Sequence, residues 1–446
     1  MRLMFFDDSG LFRREGMPRK LGKPEIIATY SDGRSNISWF TGFVFGTDDG
    51  RFRMLYQGRQ KDGSDMLLSA VSGDGIHFEF EKEVMRIENA EVAAVVEDNL
   101  NAPEERYKLL LCEYGKLPMR VRGSLLVSPD LLDWKRLDGV SWNNGNEPIT
   151  GVFYNRVREC FTVTLRPDWG VRMVGFKETR DWRHFSEYEP CMRSDALDRP
   201  LDELYGMPAF DYGDRFVGLP LIYRNFQQGN RSKYWLGTIE AFLAYSDNGR
   251  YWLRSLRSPF LSGLNKETRN ATGALRPMVW PASFRFAEDG SLLIYGSASE
   301  SEHGLGFEAS GAGCVCVWKV RKDGLISLEA GDEEGVVSTR EVAWFGGEAN
   351  VNISAAHATF AVYESSGGVL PDVKLLEGFG HGDCVPFSGD STDWTPVFAG
   401  GRNLDELKGR TLVFELRVRG GSVYSISGNG ELMFNVAAAR FRENMQ

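Results

Sequence analysis

The chain of 446 residues carries 52 lysine and arginine residues against 62 aspartate and glutamate residues, a net charge of −10. Binding to a phosphate backbone depends on a basic surface, so this balance leads us to expect no nucleic-acid partner. Glycine is abundant, with 50 residues, and 12% of the chain is aromatic. Because few apolar stretches follow helical spacing, the composition favours short strands joined by tight turns and excludes helical bundles and coiled coils.

A repeated unit runs along the first three quarters of the chain. In each copy two strand-like runs lead to a turn with aspartate, and an aromatic residue follows in the first four copies. The turn residues are Asp74, Asp130, Asp181, Asp247 and Asp323. Each interval between them is about the length of four strands with loops. This spacing predicts a five-bladed β-propeller, whose radial repetition leaves only short strand edges. A stack of unrelated hairpins is the alternative.

The pattern changes in the last quarter. Runs such as ANVNISAA and GRTLVFELRV alternate without the aspartate turn, which is typical of a β-sandwich. The acidic, glycine-bearing segment 329–340 suits a boundary between domains. The predicted architecture is therefore all-β, with a five-bladed β-propeller over residues 1–335 followed by a C-terminal β-sandwich over residues 336–446.

Six scattered cysteines are too few for a disulfide framework in so long a chain. Cys314 and Cys316 would point the same way in a strand, but no second pair or nearby histidine completes a zinc site, so we interpret them as core thiols. We expect no metal and no cofactor. The first ten residues contain acids where an export signal needs an apolar run, and no stretch approaches the ~20 apolar residues that span a bilayer. These features predict a cytoplasmic protein with no membrane partner.

Several segments resemble a known family over nearly the whole chain. FFDDSGLFRREG, DELYGMPAFDYGDRFVGL, LAYSDNGRYWLRSLRSPFL and LIYGSASESEHG look like family-32-like glycoside hydrolase proteins of the five-bladed β-propeller group, and the C-terminal segment is similar to their sandwich. The resemblance implies a hydrolase that cleaves a glycosidic bond in an oligo- or polysaccharide, with a furanoside such as fructan or arabinan favoured. It implies a carbohydrate partner. An oligomer contact through the sandwich is left open.

The resemblance also implies that acids from successive blades meet at one end of the propeller axis. One of them protonates the leaving oxygen, and another acts as nucleophile or base. By position in the family, the implied catalytic residues are Asp32, Glu147 and Glu203. Each has a plainer interpretation. Asp32 in SDG suits a turn, and Glu147 lies in an Asn/Gly-rich loop. Glu203 is next to Asp202, where a carboxylate pair would raise one pKa for acid catalysis, but the two also suit a surface loop.

The implied substrate-binding residues are Trp39, Trp169, Arg172, Asp202, Tyr205, Trp280 and His303. The arginine would clamp a hydroxyl or an anionic group, and the tryptophans would either stack on sugar faces or pack in the core. The histidine is either a substrate donor or a satisfied loop residue. The Asn-Asp-Pro and Arg-Asp-Pro motifs of fructan hydrolases are absent. Two alternatives therefore stay open: a glycoside phosphorylase or transglycosylase on the same scaffold, and a non-catalytic carbohydrate-binding propeller.

Overall fold

A computed structural model describes residues 1–100, 102–114, 121–142, 147–166, 172–225, 236–303, 313–367 and 372–433. The chain divides into two compact units. The larger unit contains Pro24–Glu288 and Leu292–Lys319. The smaller unit contains Met1–Lys23, Asp289–Ser291 and Val320–Gln446.

Almost all of the regular structure is β-strand. The first strands are β1 Arg2–Met4, β2 Leu11–Glu15, β3 Arg19–Leu21, β4 Glu25–Tyr30, β5 Asn36–Ile37, β6 Phe43–Gly46, β7 Phe52–Arg59, β8 Asp65–Ser72, β9 Glu79–Ile87, β10 Ala90–Glu97, β11 Tyr107–Tyr114, β12 Val121–Ser128, β13 Lys135–Arg136, β14 Glu147–Asn155, β15 Cys160–Arg166, β16 Val174–Thr179 and β17 Glu189–Met192. The remaining strands are β18 Asp202–Gly206, β19 Ala209–Asp211, β20 Phe216–Gly218, β21 Leu221–Asn225, β22 Gly237–Ala241, β23 Ala244–Ser246, β24 Met278–Phe286, β25 Leu292–Ser299, β26 Cys314–Val320, β27 Ile326–Ala330, β28 Gly335–Thr339, β29 Val342–Ser365, β30 Val373–Leu375, β31 Phe387–Trp394 and β32 Thr411–Leu432. One α-helix, α1, spans Lys266–Thr272. Within the described ranges no helix is long and apolar enough to cross a membrane.

The larger unit is a propeller-like arrangement of sheets. Strands β5 to β9 form the first sheet, β10 to β13 the second, and β14 to β17 the third. A seven-stranded sheet follows with the order β18-β21-β22-β24-β25-β26-β4, and β19, β20 and β23 form a separate three-stranded sheet. Inside the seven-stranded sheet, β22 and β24 pair only at Ile239 and Met278 among the described residues. That single junction separates two groups of strands.

Buried clusters join each sheet to its neighbours. One cluster contains Leu55 of β7 and Leu109 of β11, and two others join the second sheet to the third and the third to the strands around β18. A fourth contains Tyr30 of β4 and Val317 of β26 together with Leu68 of β8. The seven-stranded sheet therefore packs against the first sheet. Since each sheet buries apolar side chains on two sides, the packing runs around a closed ring.

Five chain segments surround a common cavity of about 580 Å³. They are residues 44–46, 95–97, 151–154, 208–211 and 282–285. Four of them belong to the later residues of β6, β10, β14 and β24, and the other follows β18. The cavity marks one end of the central axis of the ring. The first residues of β10, β14 and β18 precede these segments along the chain and therefore lie toward the other end of that axis. Two of the segments approach each other closely. A Cβ atom on Gly151 would come within 2.6 Å of the Cα atom of Pro208.

The smaller unit is built around two long strands. Strands β29 and β32 pair along most of their length, with Asn350 opposite Ser427 and His357 opposite Arg419. Strands β1, β27 and β28 also pair with β32, while β2 pairs with β28 and β3 with β27. The division thus differs from the predicted boundary at residue 335. The reason is that strands on both sides of that position share one sheet with strands near the start of the chain.

The aspartate turn is present in the first three repeats. Asp74 Oδ1 accepts hydrogen bonds from the backbone N–H groups two and three residues later, at 2.8 Å each. Asp130 and Asp181 do the same at 2.8 to 2.9 Å. These bonds satisfy backbone donors that the turn leaves outside the strand ladder. The predicted turn chemistry is confirmed in these repeats.

The fourth and fifth repeats differ from the prediction. In the fourth, Asn248 and not Asp247 accepts the two backbone bonds, at 2.9 and 3.1 Å. Asp247 is exposed and forms an ion pair with Arg215 at 3.1 Å. In the fifth, Asp323 is buried in the smaller unit, where the Ser425 hydroxyl donates to it at 2.6 Å. The strand that pairs with β26 is β4, which comes from the start of the larger unit and not from the segment after Asp323.

Replacing Asn248 tests this turn assignment. Asn248→Ala removes an acceptor of two backbone bonds, so we expect it to lower the free energy of unfolding by about 0.5–1.5 kcal/mol. Its neighbour Asp247 is the matched control, and Asp247→Ala should change the value by less than about 0.5 kcal/mol. Denaturant titration measures both. A larger loss for Asp247→Ala than for Asn248→Ala would contradict the assignment.

A charged cluster stabilises the smaller unit. Glu415 Oε1 lies 3.1 Å from His381 Nε2, and the hydroxyls of Ser338 and Tyr363 donate to the same carboxylate at 2.7 and 3.3 Å. The other ring nitrogen of His381 is 2.9 Å from the Thr359 hydroxyl. The hydrogen bond with His381 is the main reason that the pKa of Glu415 is lowered to about 2.

This lowered pKa predicts a pH-dependent stability. The stabilisation is present above about pH 4.5, the ordinary pKa of the carboxyl, and is lost as the pH falls through about 2. We expect His381→Asn to lower the free energy of unfolding by about 1.5–3 kcal/mol at neutral pH, the range for a hydrogen bond to a charged group. The difference from wild type should shrink at about pH 3. Denaturant titrations at the two pH values measure it, and a difference independent of pH would contradict the prediction.

Candidate functional site

Four of the predicted substrate-binding residues lie in one aromatic cluster. The Tyr205 hydroxyl is 2.6 Å from His303 Nε2. The Tyr205 ring centroid lies 5.3 Å from that of Trp280, and Trp39 stacks on Trp280 at 6.0 Å. Tyr223, which the sequence analysis missed, lies 5.8 Å from Tyr205. The ends of strands that are distant in sequence thus form one site.

Two arginines and one carboxylate complete the cluster. Arg172 forms an ion pair with Glu203, so the predicted acid is joined to a predicted binding residue. The Arg166 guanidinium lies over the Tyr205 ring at 4.4 Å, and that of Arg172 lies over the Tyr223 ring at 5.1 Å. Burial lowers the pKa of Arg166. Charge-assisted bonds and stacking on aromatic faces therefore fix the positive charges of the site.

A further carboxylate belongs to the same electrostatic environment. Burial raises the pKa of Tyr205, Arg166 and Arg172 lower it, and the charge of Glu91 raises it further. The Tyr114 hydroxyl donates to Glu91 at 2.7 Å. Burial also raises the pKa of Glu91, although the bond from Tyr114 acts in the other direction.

Three glutamates lie at the starts of β10, β14 and β18, each of which comes first in the strand order of its sheet. Glu91 is the second residue of β10, Glu147 the first of β14 and Glu203 the second of β18. They are 56 residues apart (147 − 91 and 203 − 147). The sequence therefore carried a signal for Glu91, since it repeats the interval between the two acids that were selected. The side chain of Glu147 lies outside the described residues.

Asp202 and Glu203 do not form a carboxylate pair. Successive residues of a strand point to opposite faces, and Asp202 contacts Arg224 at 3.5 Å, whereas Glu203 contacts Arg172. Burial, and not the neighbouring Glu203, raises the pKa of Asp202. The predicted pairing of these two acids is wrong. Arg224 also binds Glu240 at 2.7 Å, which makes this second face a structural ion-pair network.

Asp32 occupies a turn. Its carboxylate accepts bonds from the backbone N–H groups of Arg34 and Ser35 at 2.8 and 2.9 Å, and from the Tyr56 hydroxyl at 2.9 Å. The described residues show no contact between Asp32 and the aromatic cluster. These bonds agree with the turn interpretation of Asp32.

The tryptophans differ in their surroundings. Trp280 is fully buried, and Phe40 packs against it at 4.1 Å between ring centroids. Protein covers its ring, which favours packing over stacking on a sugar. The Trp280 Nε1 atom has no hydrogen-bond partner among the described residues. Trp39 is half-buried and keeps an accessible part. Trp169 lies outside the described residues.

Phe40 has a strained backbone. Its φ of 53° is in the left-handed region, which a bulky side chain rarely adopts. Such strain costs on the order of 1–3 kcal/mol and is often found at functional sites. Here it brings the Phe40 ring centroid to 4.1 Å from that of Trp280 and 6.5 Å from that of Tyr205.

The part of the chain that the structure describes contains no group of three histidine, cysteine or acidic side chains arranged to hold a metal ion. Cys314 and Cys316 are buried with their sulfur atoms 3.8 Å apart, as expected for core thiols on one face of a strand.

No family model matches the sequence, and a search of curated proteins finds no match. Solved structures with a similar arrangement include a family 32 β-fructofuranosidase from Bombyx mori, with 12% identity, 94% of each chain covered and a TM-score of 0.46. A glycosyl hydrolase from Bacteroides ovatus is 15% identical over 69% of this chain and 94% of its own, with a TM-score of 0.43. An N-acetylgalactosamine deacetylase from F. plautii is 14% identical over 69% of this chain and 95% of its own, with a TM-score of 0.45.

The bond between Tyr205 and His303 predicts a measurable loss of stability. Tyr205→Phe leaves a buried ring nitrogen of His303 without this hydroxyl, so we expect the free energy of unfolding to fall by about 1–3 kcal/mol. Tyr251→Phe is the matched control, because Tyr251 is 78% exposed, and it should change the value by less than about 0.5 kcal/mol. Equal effects in denaturant titration would contradict the role of the bond.

Proposed function

We propose that the chain is a glycoside hydrolase that cleaves glycosidic bonds in an oligo- or polysaccharide by a carboxylate mechanism. The observation that carries the proposal is the ion pair of Glu203 and Arg172 within the aromatic cluster, with Glu91 at the corresponding position of β10. Glycosyl transfer needs a proton donor and a second carboxylate, and sugars bind to aromatic faces with nearby polar groups. The sequence resemblance adds a preference for a furanoside such as fructan or arabinan.

Glu203 is the proposed carboxylate nucleophile or base. Arg172 orients it and keeps a positive charge beside it, an environment that suits a carboxylate acting in its charged form. Tyr205 and His303, bonded to each other at 2.6 Å, are the polar groups proposed to border the substrate. Trp39 supplies an apolar surface at the same position. Asp32 is left out of this machinery because turn bonds and the Tyr56 hydroxyl occupy its oxygens.

The architecture proposed with this function is a five-bladed β-propeller and a β-sandwich. Dividing the seven-stranded sheet at the junction of Ile239 and Met278 gives one blade around β18, β21 and β22 and another of β24, β25, β26 and β4. Together with the first three sheets this makes five blades. Five chain segments around one axial cavity support the same count.

A glycoside phosphorylase is the second candidate. Such an enzyme needs cations beside its acids, and Arg166, Arg172 and His303 surround Tyr205 next to Glu203. An arginine fork binds phosphate in two-point geometry. Phosphate-dependent turnover separates this candidate from the hydrolase.

Substitution of Glu203 tests the proposed function. We expect wild type to turn over at least one member of a panel of fructo-, arabino- and galacto-oligosaccharides, assayed with and without inorganic phosphate. Glu203→Gln should lower kcat by at least about 10²-fold, because the amide cannot act as base or nucleophile. Glu79→Gln, on the exposed face of β9, is the matched control and should leave kcat unchanged.

The outcomes separate the candidates. Turnover without phosphate supports the hydrolase, and turnover only with phosphate supports the phosphorylase. Unchanged turnover in Glu203→Gln would remove Glu203 from the mechanism. Sugar binding in calorimetry without any turnover would favour a non-catalytic carbohydrate-binding protein.

A further inference from the structure

A second polar cavity lies beside Glu91, between the first and second sheets. Its volume is about 420 Å³, within the range of roughly 300–1,000 Å³ found for small-molecule sites. Polar side chains line most of it, including Gln57, Arg59, Asp65, Glu91 and Tyr114. Arg59 and Asp65 form an ion pair at 3.2 Å across one wall. Paired charges of this kind offer both donors and acceptors, the combination that binds the hydroxyl groups of a neutral sugar.

Glu91 connects this cavity to the aromatic cluster. It lies at the start of β10, at the same end of the axis as Glu203, and its charge acts on Tyr205. The Tyr114 hydroxyl holds the Glu91 carboxyl at 2.7 Å. The carboxyl therefore borders the polar cavity, and its charge reaches the aromatic cluster.

We propose that Glu91 is the proton donor of the reaction, that Tyr114 positions it, and that the cavity beside it binds a neutral sugar unit of the substrate. This inference rests on the proposed function.

The proposed step balances with water as co-reactant. The Glu91 carboxyl proton passes to the glycosidic oxygen as the bond from that oxygen to the anomeric carbon breaks, and the leaving sugar departs as an alcohol. Water adds its oxygen to the anomeric carbon, and a proton from that water returns Glu91 to its acid form. Glu203, beside Arg172, forms a bond to the anomeric carbon as the glycosidic bond breaks, and that bond breaks in turn when the water attacks.

The surroundings of Glu91 shift the pKa of its carboxyl upward and so favour its protonated form. Burial raises its pKa, the bond from Tyr114 lowers it, and the charge of Asp65 raises it. Cys112 and Tyr205 are the other titratable groups that its charge influences, and both are buried thiol or phenol groups with raised pKa values. A reaction that needs the acid form should lose rate as the pH rises through the pKa of Glu91.

Substitution of two neighbours of Glu91 should move the alkaline limb of the pH–rate profile in opposite directions. Tyr114→Phe removes a hydrogen bond to the ionised carboxylate, so the limb should move to higher pH. Asp65→Asn removes a nearby negative charge and leaves Arg59, so the limb should move to lower pH. We expect shifts of roughly half to one pH unit. A structural role alone would lower the rate without moving the limb.

The decisive experiment compares substrates with poor and good leaving groups. Glu91→Gln should lower kcat on an oligosaccharide by about 10²–10⁴-fold and remove the alkaline limb. It should keep most of its rate on the dinitrophenyl glycoside of the same sugar, whose leaving group needs no proton. Glu203→Gln should lose activity on both substrates, because it acts on the anomeric carbon.

The results distinguish this inference from the proposed function. Equal loss by Glu91→Gln on both substrates, or a retained alkaline limb, would overturn the assignment of Glu91 while the hydrolase proposal stands. Opposite shifts in Tyr114→Phe and Asp65→Asn support the assignment even if Glu91→Gln fails to fold. If wild type turns over no glycoside, the proposed function fails and the assignment fails with it.

Discussion

The contact of every sheet with two neighbours is the constraint on which the larger unit depends. Apolar side chains fill the spaces between successive sheets, so the first strand of each sheet must lie near a common axis. Residues at the starts of those strands then meet at one end without any contact along the chain. Glu91, Glu147 and Glu203 occupy corresponding positions at the starts of β10, β14 and β18, at intervals of 56 residues (147 − 91 and 203 − 147).

Environment, more than residue type, distinguishes the acids of this site. Glu203 faces an arginine in a cluster of rings, whereas Glu91 faces a tyrosine hydroxyl and a second acid in a polar cavity. Pairs of carboxyl groups whose surroundings differ in this way can divide the work of proton donor and charged partner. Asp202 shows the contrast, because it is next to Glu203 in sequence but belongs to a structural network with Arg224.

The sequence predicted the strand content because it depends on local patterns, whereas the residues of the aromatic cluster were implied by the family resemblance. Strand alternation and turn chemistry are written in neighbouring residues, as at Asp74 and Asp130. What the sequence left out depends on distant partners. The hydroxyl of Tyr114 and the guanidinium of Arg166 gain a role only when separate strands meet. At Asp247 the local pattern was misleading by one residue, since aspartate and asparagine both suit that turn.

The pairing of β4 with β26 also constrains how the chain folds. Tyr30 pairs with Val315, so the ring closes between strands from the beginning and the end of the larger unit. During synthesis, strand β4 has no partner until nearly three hundred further residues have been added. Contacts of such high sequence separation fold slowly, since a long loop loses entropy before the pairing forms. The last event in forming the ring is therefore the return of one of its earliest strands.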